Sequence, residues 1–119
     1  NLRYLKEPNE TVYAGYQDLL ARMRRVREVD PAYQVHALQY AAGLAMALEK
    51  NDEAESLYEE ATRLAEKILR PTDAQMLNLL VAKAYFYTRA RKPEQALAAA
   101  ERVHQLTFRE LRQDPKHPN

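Results

Sequence analysis

The residues of this chain that could bind a metal ion or transfer a proton are, first of all, its three histidines. His36, His104 and His117 are far apart, no His-Glu-x-x-His motif is present, and the chain contains no cysteine. Zinc sites and histidine-dependent catalysis need such groups at close, regular spacing. The sequence therefore predicts no catalytic residue, no metal site and no cofactor, and we expect the chain not to be an enzyme.

Five glutamates between residues 53 and 66 are a second group with possible chemistry. They are Glu53, Glu55, Glu59, Glu60 and Glu66. On a helix these positions surround the outer face and do not converge on one point. A solvated helix surface accounts for them, so they do not indicate an acidic site.

A cluster of arginines is the best indication of nucleic-acid binding in the sequence. It consists of Arg22, Arg24, Arg25 and Arg27. On a helical wheel two of them flank an apolar stripe and two point away, so they do not form one basic stripe with interleaved aromatic residues. Lysine and arginine together number 18 against 17 acidic residues, so a bulk basic excess is missing. We therefore expect a protein or peptide partner and no nucleic acid. No apolar run reaches the roughly 18 residues of a membrane helix, so we expect no membrane partner.

Prolines and capping residues divide the chain into amphipathic stretches. Such stretches are typical of helices, so helices are expected to position the side chains described above. The first stretch, residues 1–7, is short and is interrupted at Pro8 and Asn9. From about 10 to 29, apolar residues recur every three or four positions, which is the spacing of one helical face. That stripe consists of Val12, Tyr16, Leu19, Met23 and Val26.

The later helices have recognisable starts. Asp30 followed by Pro31 predicts an N-cap side chain and a first helical residue with a fixed φ. Asn51 predicts the cap of the next helix, and Pro93 opens the last one. No window alternates as a strand would, so the chain is predicted to be all-α, with short connections that make neighbouring helices antiparallel.

Repeated spacings indicate how these helices are organised. Ala54 and Ala96 open two similar segments with a sequence separation of 42, and Tyr16 and Tyr58 begin two more with the same separation. An Asp-Pro dipeptide also occurs twice, at double that separation. A fixed period in this range is typical of stacked supersecondary units that bury their cores against one another.

The pattern resembles the tetratricopeptide repeat. Residues on its motif positions are Leu38, Ala41, Ala42, Ala54, Tyr58 and Ala61 in one copy, and Leu80, Ala84, Tyr87 and Ala96 in the other. Small residues there let two helices approach closely, and large ones fill the grooves between them. The period of 42 resembles the longer variety found in kinesin light chain and in many bacterial sensor or regulator proteins, and not the common form of about 34 residues.

This resemblance implies an alpha-alpha superhelix of antiparallel helical hairpins with about five main helices. Residues 1–119 would form one domain: the second helix of one repeat at 10–29, then repeats at 31–70 and 72–113. We expect the chain to be a piece of a longer protein.

In the resembling family the first helix of each repeat lines a concave binding surface. The side chains opposite the packing stripe of those helices are the candidate partner-binding residues: His36, Gln39, Tyr40, Asn78, Tyr85 and Arg89. Tyrosine suits this role because its ring packs while its hydroxyl stays hydrated. Tyr33, Tyr40 and Tyr85 lie off the motif positions, whereas Tyr16, Tyr58 and Tyr87 are predicted to belong to the core.

The last helix carries two apolar stripes. The predicted inward stripe is Ala96, Ala100, Val103 and Thr107, and the second is Leu97, His104, Phe108 and Leu111. Because the ends of stacked repeats need polar caps, we expect the second stripe to meet a further helix or a second copy of the chain. It is therefore the candidate end-to-end or self-association surface, and the chain is a possible homo-oligomer.

The function best supported by the sequence is that of a protein–protein interaction module. The alternative is a regulatory, sensor or self-association segment of a bacterial signalling or transcription-regulating protein. The sequence leaves the partner open and favours a cytoplasmic location.

Overall fold

Every element in the described part of the chain is an α-helix. The computed structural model describes residues 2–26, 29–70 and 73–113, with side chains described over 9–26, 29–70 and 73–108. The helices are α1 (Leu2–Arg25), α2 (Pro31–Ala47), α3 (Asn51–Ile68), α4 (Ala74–Arg89) and α5 (Pro93–Gln113). The predicted all-α class is confirmed.

The first helix differs from its prediction. α1 begins at Leu2 and continues through Pro8 to Arg25, so the predicted interruption at Pro8 and Asn9 is wrong. A proline inside a helix removes one backbone hydrogen bond and crowds the preceding turn, so Pro8 weakens the helix at this point without ending it. The helix also ends four residues before the predicted residue 29.

The predicted start of α2 is confirmed. Asp30 Oδ1 accepts a hydrogen bond from the backbone N–H of Ala32 at 3.0 Å, with Pro31 as the first helical residue. Pro93 likewise begins α5. α3 begins at Asn51 itself, and the carbonyl that accepts the first bond of the helix belongs to Lys50. Asn51 is therefore the first helical residue and not the cap.

Two helix ends have the same geometry one repeat period apart. Glu49 follows α2 with φ of 63°, and Arg91 follows α4 with φ of 61°. After α2, the N–H of Lys50 donates to the carbonyl of Ala45 at 2.8 Å, and that of Glu49 donates to Met46 at 3.0 Å. This pair of bonds defines a Schellman motif.

After α4, the bonds from Lys92 to Tyr87 and from Arg91 to Thr88, at 2.9 and 3.2 Å, repeat the arrangement. The period seen in the sequence is therefore also present in the backbone of the two hairpin loops.

The chain divides into two compact units, residues 1–68 and 69–119. In unit 1, α2 packs against both α1 and α3. Its buried residues share one broad face of the helix: Val35, Ala37, Leu38, Ala41, Ala42 and Ala45. On α3 the buried residues are Ala54, Tyr58, Ala61 and Ala65. Most of these side chains are small, which permits close approach of the helices.

In unit 2, α4 packs against α5. The buried residues of α4 are Met76, Leu79, Leu80, Lys83, Phe86 and Tyr87. On α5, Ala99 and Leu106 are buried, whereas Ala96 and Val103 are half-buried.

The predicted inward stripe of α5 is partly wrong, because Ala100 and Thr107 are exposed. Ala99 and Leu106 take their place one residue earlier on the helix. Burial of a leucine removes more apolar surface from water than burial of a threonine, so the rotation that buries Leu106 is favoured. Likewise, of the two repeat alanines, Ala54 is fully buried but Ala96 is not.

The predicted stripe of α1 is also partly wrong, but here two of the buried residues lie one position later on the helix. Val12 and Val26 are 45% and 52% exposed, whereas Tyr13 and Leu20, one residue after two stripe positions, are buried together with Met23. Tyr13 buries more surface than Val12 would, whereas Leu20 and Leu19 are equal in size, so the tyrosine accounts for the difference.

The left-handed residues at the helix ends give a prediction about stability. In this backbone conformation the Cβ of a non-glycine residue crowds the following carbonyl, and glycine avoids that contact. We expect Glu49→Gly and Arg91→Gly each to raise the free energy of unfolding by roughly 0.5–1 kcal/mol, after the greater freedom of glycine in the unfolded chain is subtracted.

Urea denaturation followed by circular dichroism measures the gain. Glu49→Ala and Arg91→Ala are the matched controls, because they remove the same charges but keep Cβ. An equal gain in the alanine variants would show that the side chain, and not the backbone conformation, limits stability.

Candidate functional site

The predicted partner-binding residues of α2 form an aromatic surface. Tyr40 is 53% exposed, His36 is exposed and Gln39 is half-buried. The imidazole of His36 lies 5.7 Å from the ring of Tyr40, centroid to centroid, and Tyr16 of α1 stacks on Tyr40 at 5.4 Å with 17° between the planes.

Tyr16 was predicted to belong to the core, and this prediction is wrong because Tyr16 is half-buried. Its ring instead supports Tyr40 from α1. Tyr58 and Tyr87 are buried as predicted, and Tyr33, about two helical turns before Tyr40 on α2, is exposed.

The predicted residues of α4 also include an ordered tyrosine. Tyr85 is 55% exposed, and Asn78 and Arg89 are exposed. Arg89 Nη1 donates to Tyr85 Oη at 3.3 Å, and its guanidinium carbon lies 5.8 Å from the centroid of the Tyr85 ring. Arg89 and Tyr85 therefore contact each other on the surface of α4. This set belongs to unit 2 and the α2 set to unit 1.

The candidate self-association surface on α5 is exposed where its side chains are described. Leu97 is 61% and Phe108 is 54% exposed. His104, also exposed, stacks on Phe108 with 6.5 Å between ring centroids. The Leu111 side chain lies outside the described residues, as does His117.

Two long-range side-chain contacts between α1 and α3 were not predicted. Tyr13 Oη donates to Glu53 Oε2 at 2.5 Å, and Arg24 Nη2 donates to Glu60 Oε1 at 2.7 Å. The sequence contained one indication of the second contact: Arg24 and Glu60 carry opposite charges, and their helices both pack against α2. Neither contact joins residues that are one repeat period apart, so the period did not indicate them.

Tyr13 is the most electrostatically perturbed tyrosine of the described chain. Burial raises the pKa of its hydroxyl, and the hydrogen bond to Glu53 and the charge of that carboxylate raise it further. Lys50 Nζ lies 5.4 Å from the centroid of the Tyr13 ring. Burial also raises the pKa of Tyr58. Both pKa shifts favour the neutral phenol.

The arginine cluster of α1 is partly engaged with carboxylates. Arg22 Nε lies 3.1 Å from Asp18 Oδ2 one helical turn away, and Arg24 binds Glu60. Arg27 lies outside the described residues. Among the described residues no three histidine or carboxylate side chains are grouped as metal ligands would be. No described helix combines the length and apolar character needed to cross a bilayer.

Comparisons with known proteins bear on the fold. No family model matches the chain, and no curated protein matches its sequence significantly. Among solved structures, the crystal structure of BtubC (BKLC) from P. vanneervenii is similar, with a TM-score of 0.73 and 19% identity over 91% of this chain. The chain spans 42% of the length of BtubC.

BtubC is a helical-repeat protein, and the similarity shows that this chain has a helical-repeat fold. The assignment to the longer repeat variety found in kinesin light chain, and the division into repeats at 31–70 and 72–113, stay predictions.

The Tyr13–Glu53 contact gives a prediction about pH dependence. Because the pKa of Tyr13 is higher in the folded chain than in the unfolded chain, at about 10, the unfolded state loses its proton first. The resulting stabilisation is complete below pH about 10 and is lost as the pH rises towards the folded-state pKa. Tyr13→Phe removes this term, so we expect the decline of stability above pH 10 to be shallower in the variant.

At neutral pH the same variant lacks the hydrogen bond to Glu53, which lowers the free energy of unfolding by about 1–2 kcal/mol for a bond to a solvated carboxylate. Denaturant titrations between pH 7 and 11.5 measure both effects, with Tyr33→Phe as the exposed control. Parallel curves for wild type and Tyr13→Phe above pH 10 would contradict the assignment.

Proposed function

We propose that this chain is a protein–protein interaction module that binds a peptide or a partner protein through the exposed side chains of α2 and α4. The candidate contact residues are His36, Gln39 and Tyr40 in unit 1 and Asn78, Tyr85 and Arg89 in unit 2. We place them on the concave face, as the resemblance to the tetratricopeptide repeat implies, and we propose that the chain has no catalytic activity and takes no cofactor.

The observation that carries this proposal is the exposure of two ordered tyrosines. Tyr40 and Tyr85 each leave more than half of their surface in contact with solvent. Each is held by a neighbour, Tyr40 by the ring of Tyr16 and Tyr85 by Arg89. A side chain that is already ordered loses little conformational entropy on binding, and tyrosine is among the residues that contribute most to interfaces.

The polar groups beside these tyrosines suit a peptide. The guanidinium of Arg89 can pair with a carboxylate of the partner through two parallel hydrogen bonds. The amides of Gln39 and Asn78 each offer a donor and an acceptor to a peptide backbone. The near balance of 18 basic and 17 acidic residues supports a protein partner over nucleic acid, because nucleic-acid binders usually carry a clear basic excess.

The proposed surface predicts the effect of a double substitution. Peptides selected from a random phage-displayed library on the immobilised chain would be labelled, and their affinities measured by fluorescence polarisation. We expect Tyr85→Ala with Arg89→Ala to weaken binding by tenfold or more, about the effect of losing one anchor residue. Circular dichroism and the melting temperature should stay unchanged because both residues are exposed.

Arg63→Ala, an exposed substitution on α3, is the matched control and should bind as wild type does. Normal binding by the double variant, together with loss of binding on charge reversal at Glu59 and Glu60, would place the partner on the surface of α3 instead.

A second candidate function is self-association, as a regulatory or sensor segment of a bacterial signalling or transcription-regulating protein. The exposed face of α5 supports it. Leu97 and His104 stand two repeat periods after Tyr13 and Leu20. Tyr13 and Leu20 are buried on α1, which packs against α2. The equivalent face of α5 is exposed and apolar, as expected of a surface that receives another helix.

This second function predicts a concentration-dependent dimer. In sedimentation velocity, we expect the wild-type chain to associate at high micromolar concentration and Phe108→Ser to remain monomeric, because the serine removes the largest apolar group from the α5 face. Val12→Ser, at an exposed valine of α1, is the control. A strict monomer with unchanged solubility in the variant would contradict self-association and leave the peptide-binding proposal unaffected.

A further inference from the structure

A groove of about 370 Å³ lies between α1 and α3, within unit 1 and apart from the surface assigned above. Its lining residues are Tyr13, Gln17, Leu20, Arg24, Asp52, Glu53, Ser56 and Leu57. The Tyr13–Glu53 hydrogen bond crosses it towards one end and the Arg24–Glu60 ion pair towards the other. These two contacts join the helices while the middle of the groove stays open.

The middle of the groove combines an apolar floor with polar walls. Leu20 is buried and Leu57 is half-buried, so both present aliphatic surface at the base. Gln17 on α1 and Ser56 on α3 are exposed and face the same space. An amide and a hydroxyl at the edges of an apolar pocket are the usual means of orienting a ligand.

The charged residues of the groove indicate which kind of ligand it would bind. Asp52 and Glu53 contribute two carboxylates to its lining, and the one cation in that lining, Arg24, is bound to Glu60. Lys50 Nζ, 5.4 Å from the centroid of the Tyr13 ring, offsets part of this negative charge. Asp52, Glu53 and Glu60 against Arg24 and Lys50 leave one net negative charge, so the groove favours a positive group over an acidic one.

We propose that this groove is a second binding site, which takes a short basic and aliphatic peptide segment. A lysine or arginine of the segment lies towards Asp52 and Glu53, and an aliphatic side chain next to it covers Leu20 and Leu57. Tyr13 and Arg24 stand about three helical turns apart on α1, a span of about 16 Å. An extended segment of about five residues fills that length.

The test uses two defined probes that differ in one charged side chain. They are acetylated, amidated pentapeptides with the sequences Ser-Lys-Leu-Leu-Ser and Ser-Glu-Leu-Leu-Ser, titrated into the ¹⁵N-labelled chain. For the lysine peptide we expect amide shifts to cluster at Gln17, Leu20, Ser56 and Leu57. We expect the glutamate peptide to bind about tenfold more weakly, a difference of one favourable charge contact.

Substitutions then locate the site. Ser56→Trp and Gln17→Trp fill the groove from opposite walls at exposed positions, and each should abolish the shifts without changing the circular dichroism spectrum. Using two blocking variants keeps the test valid if one of them unfolds. Asp52→Lys should reverse the preference between the two peptides, whereas Glu66→Lys, the same kind of charge reversal at an exposed site later on α3, should not.

The absence of shifts at millimolar peptide, equal binding of the two peptides, or binding that survives both tryptophan variants would each overturn the proposal. Shifts confined to α2 and α4, lost in Tyr85→Ala with Arg89→Ala, would overturn the groove and favour the partner surface proposed above. The two sites are thus tested by different variants.

Discussion

The close packing of α2 against its neighbours is the constraint on which unit 1 depends. α2 contacts both α1 and α3, so its buried residues form a broad face that covers nearly half of the helix circumference, about 160° at 100° per residue. Helices approach closely only where the facing side chains are small. Alanines supply this at Ala41, Ala42 and Ala45 of α2 and at Ala54 and Ala61 of α3.

Gly43 does not carry this constraint. A Cβ added to it would lie 3.9 Å from Tyr58 Oη, at ordinary contact distance, so the position has room for an alanine. Because both α1 and α3 are antiparallel to α2, they run parallel to each other. This arrangement brings Tyr13 within reach of Glu53, and Arg24 within reach of Glu60.

The buried faces of α2 and α3 could be predicted from the sequence better than those of α1 and α5. In α2 and α3, alanines and a few large residues recur on one face of each helix, so only one pairing of faces packs the two helices closely. The sequence therefore predicted correctly that Leu38 and Ala54 are buried. α1 and α5 each carry two overlapping apolar stripes. Pattern alone could not choose between Ala99 and Ala100, and the choice was settled by the area that Leu106 buries.

For the candidate surfaces too, some features could be predicted from the sequence and others could not. Exposure of Tyr40 and Tyr85 followed from their positions opposite the packing stripe, and the structure confirms it. The stacking of Tyr16 on Tyr40 did not follow, because it depends on how α1 is rotated. The Tyr13–Glu53 bond joins residues 40 apart with no local motif to connect them, and only the packed structure brings them together.

The two Schellman loops have a consequence for the order of folding. Residues 48–50 and 90–92 suffice to reverse the chain, so the helices of each hairpin meet after a very short loop closure. Contacts between residues near in sequence form fast, since little loop entropy is lost before they are made. In a helical-repeat protein, where each unit is stabilised by its neighbours, either hairpin can form first and nucleate the addition of the next helix.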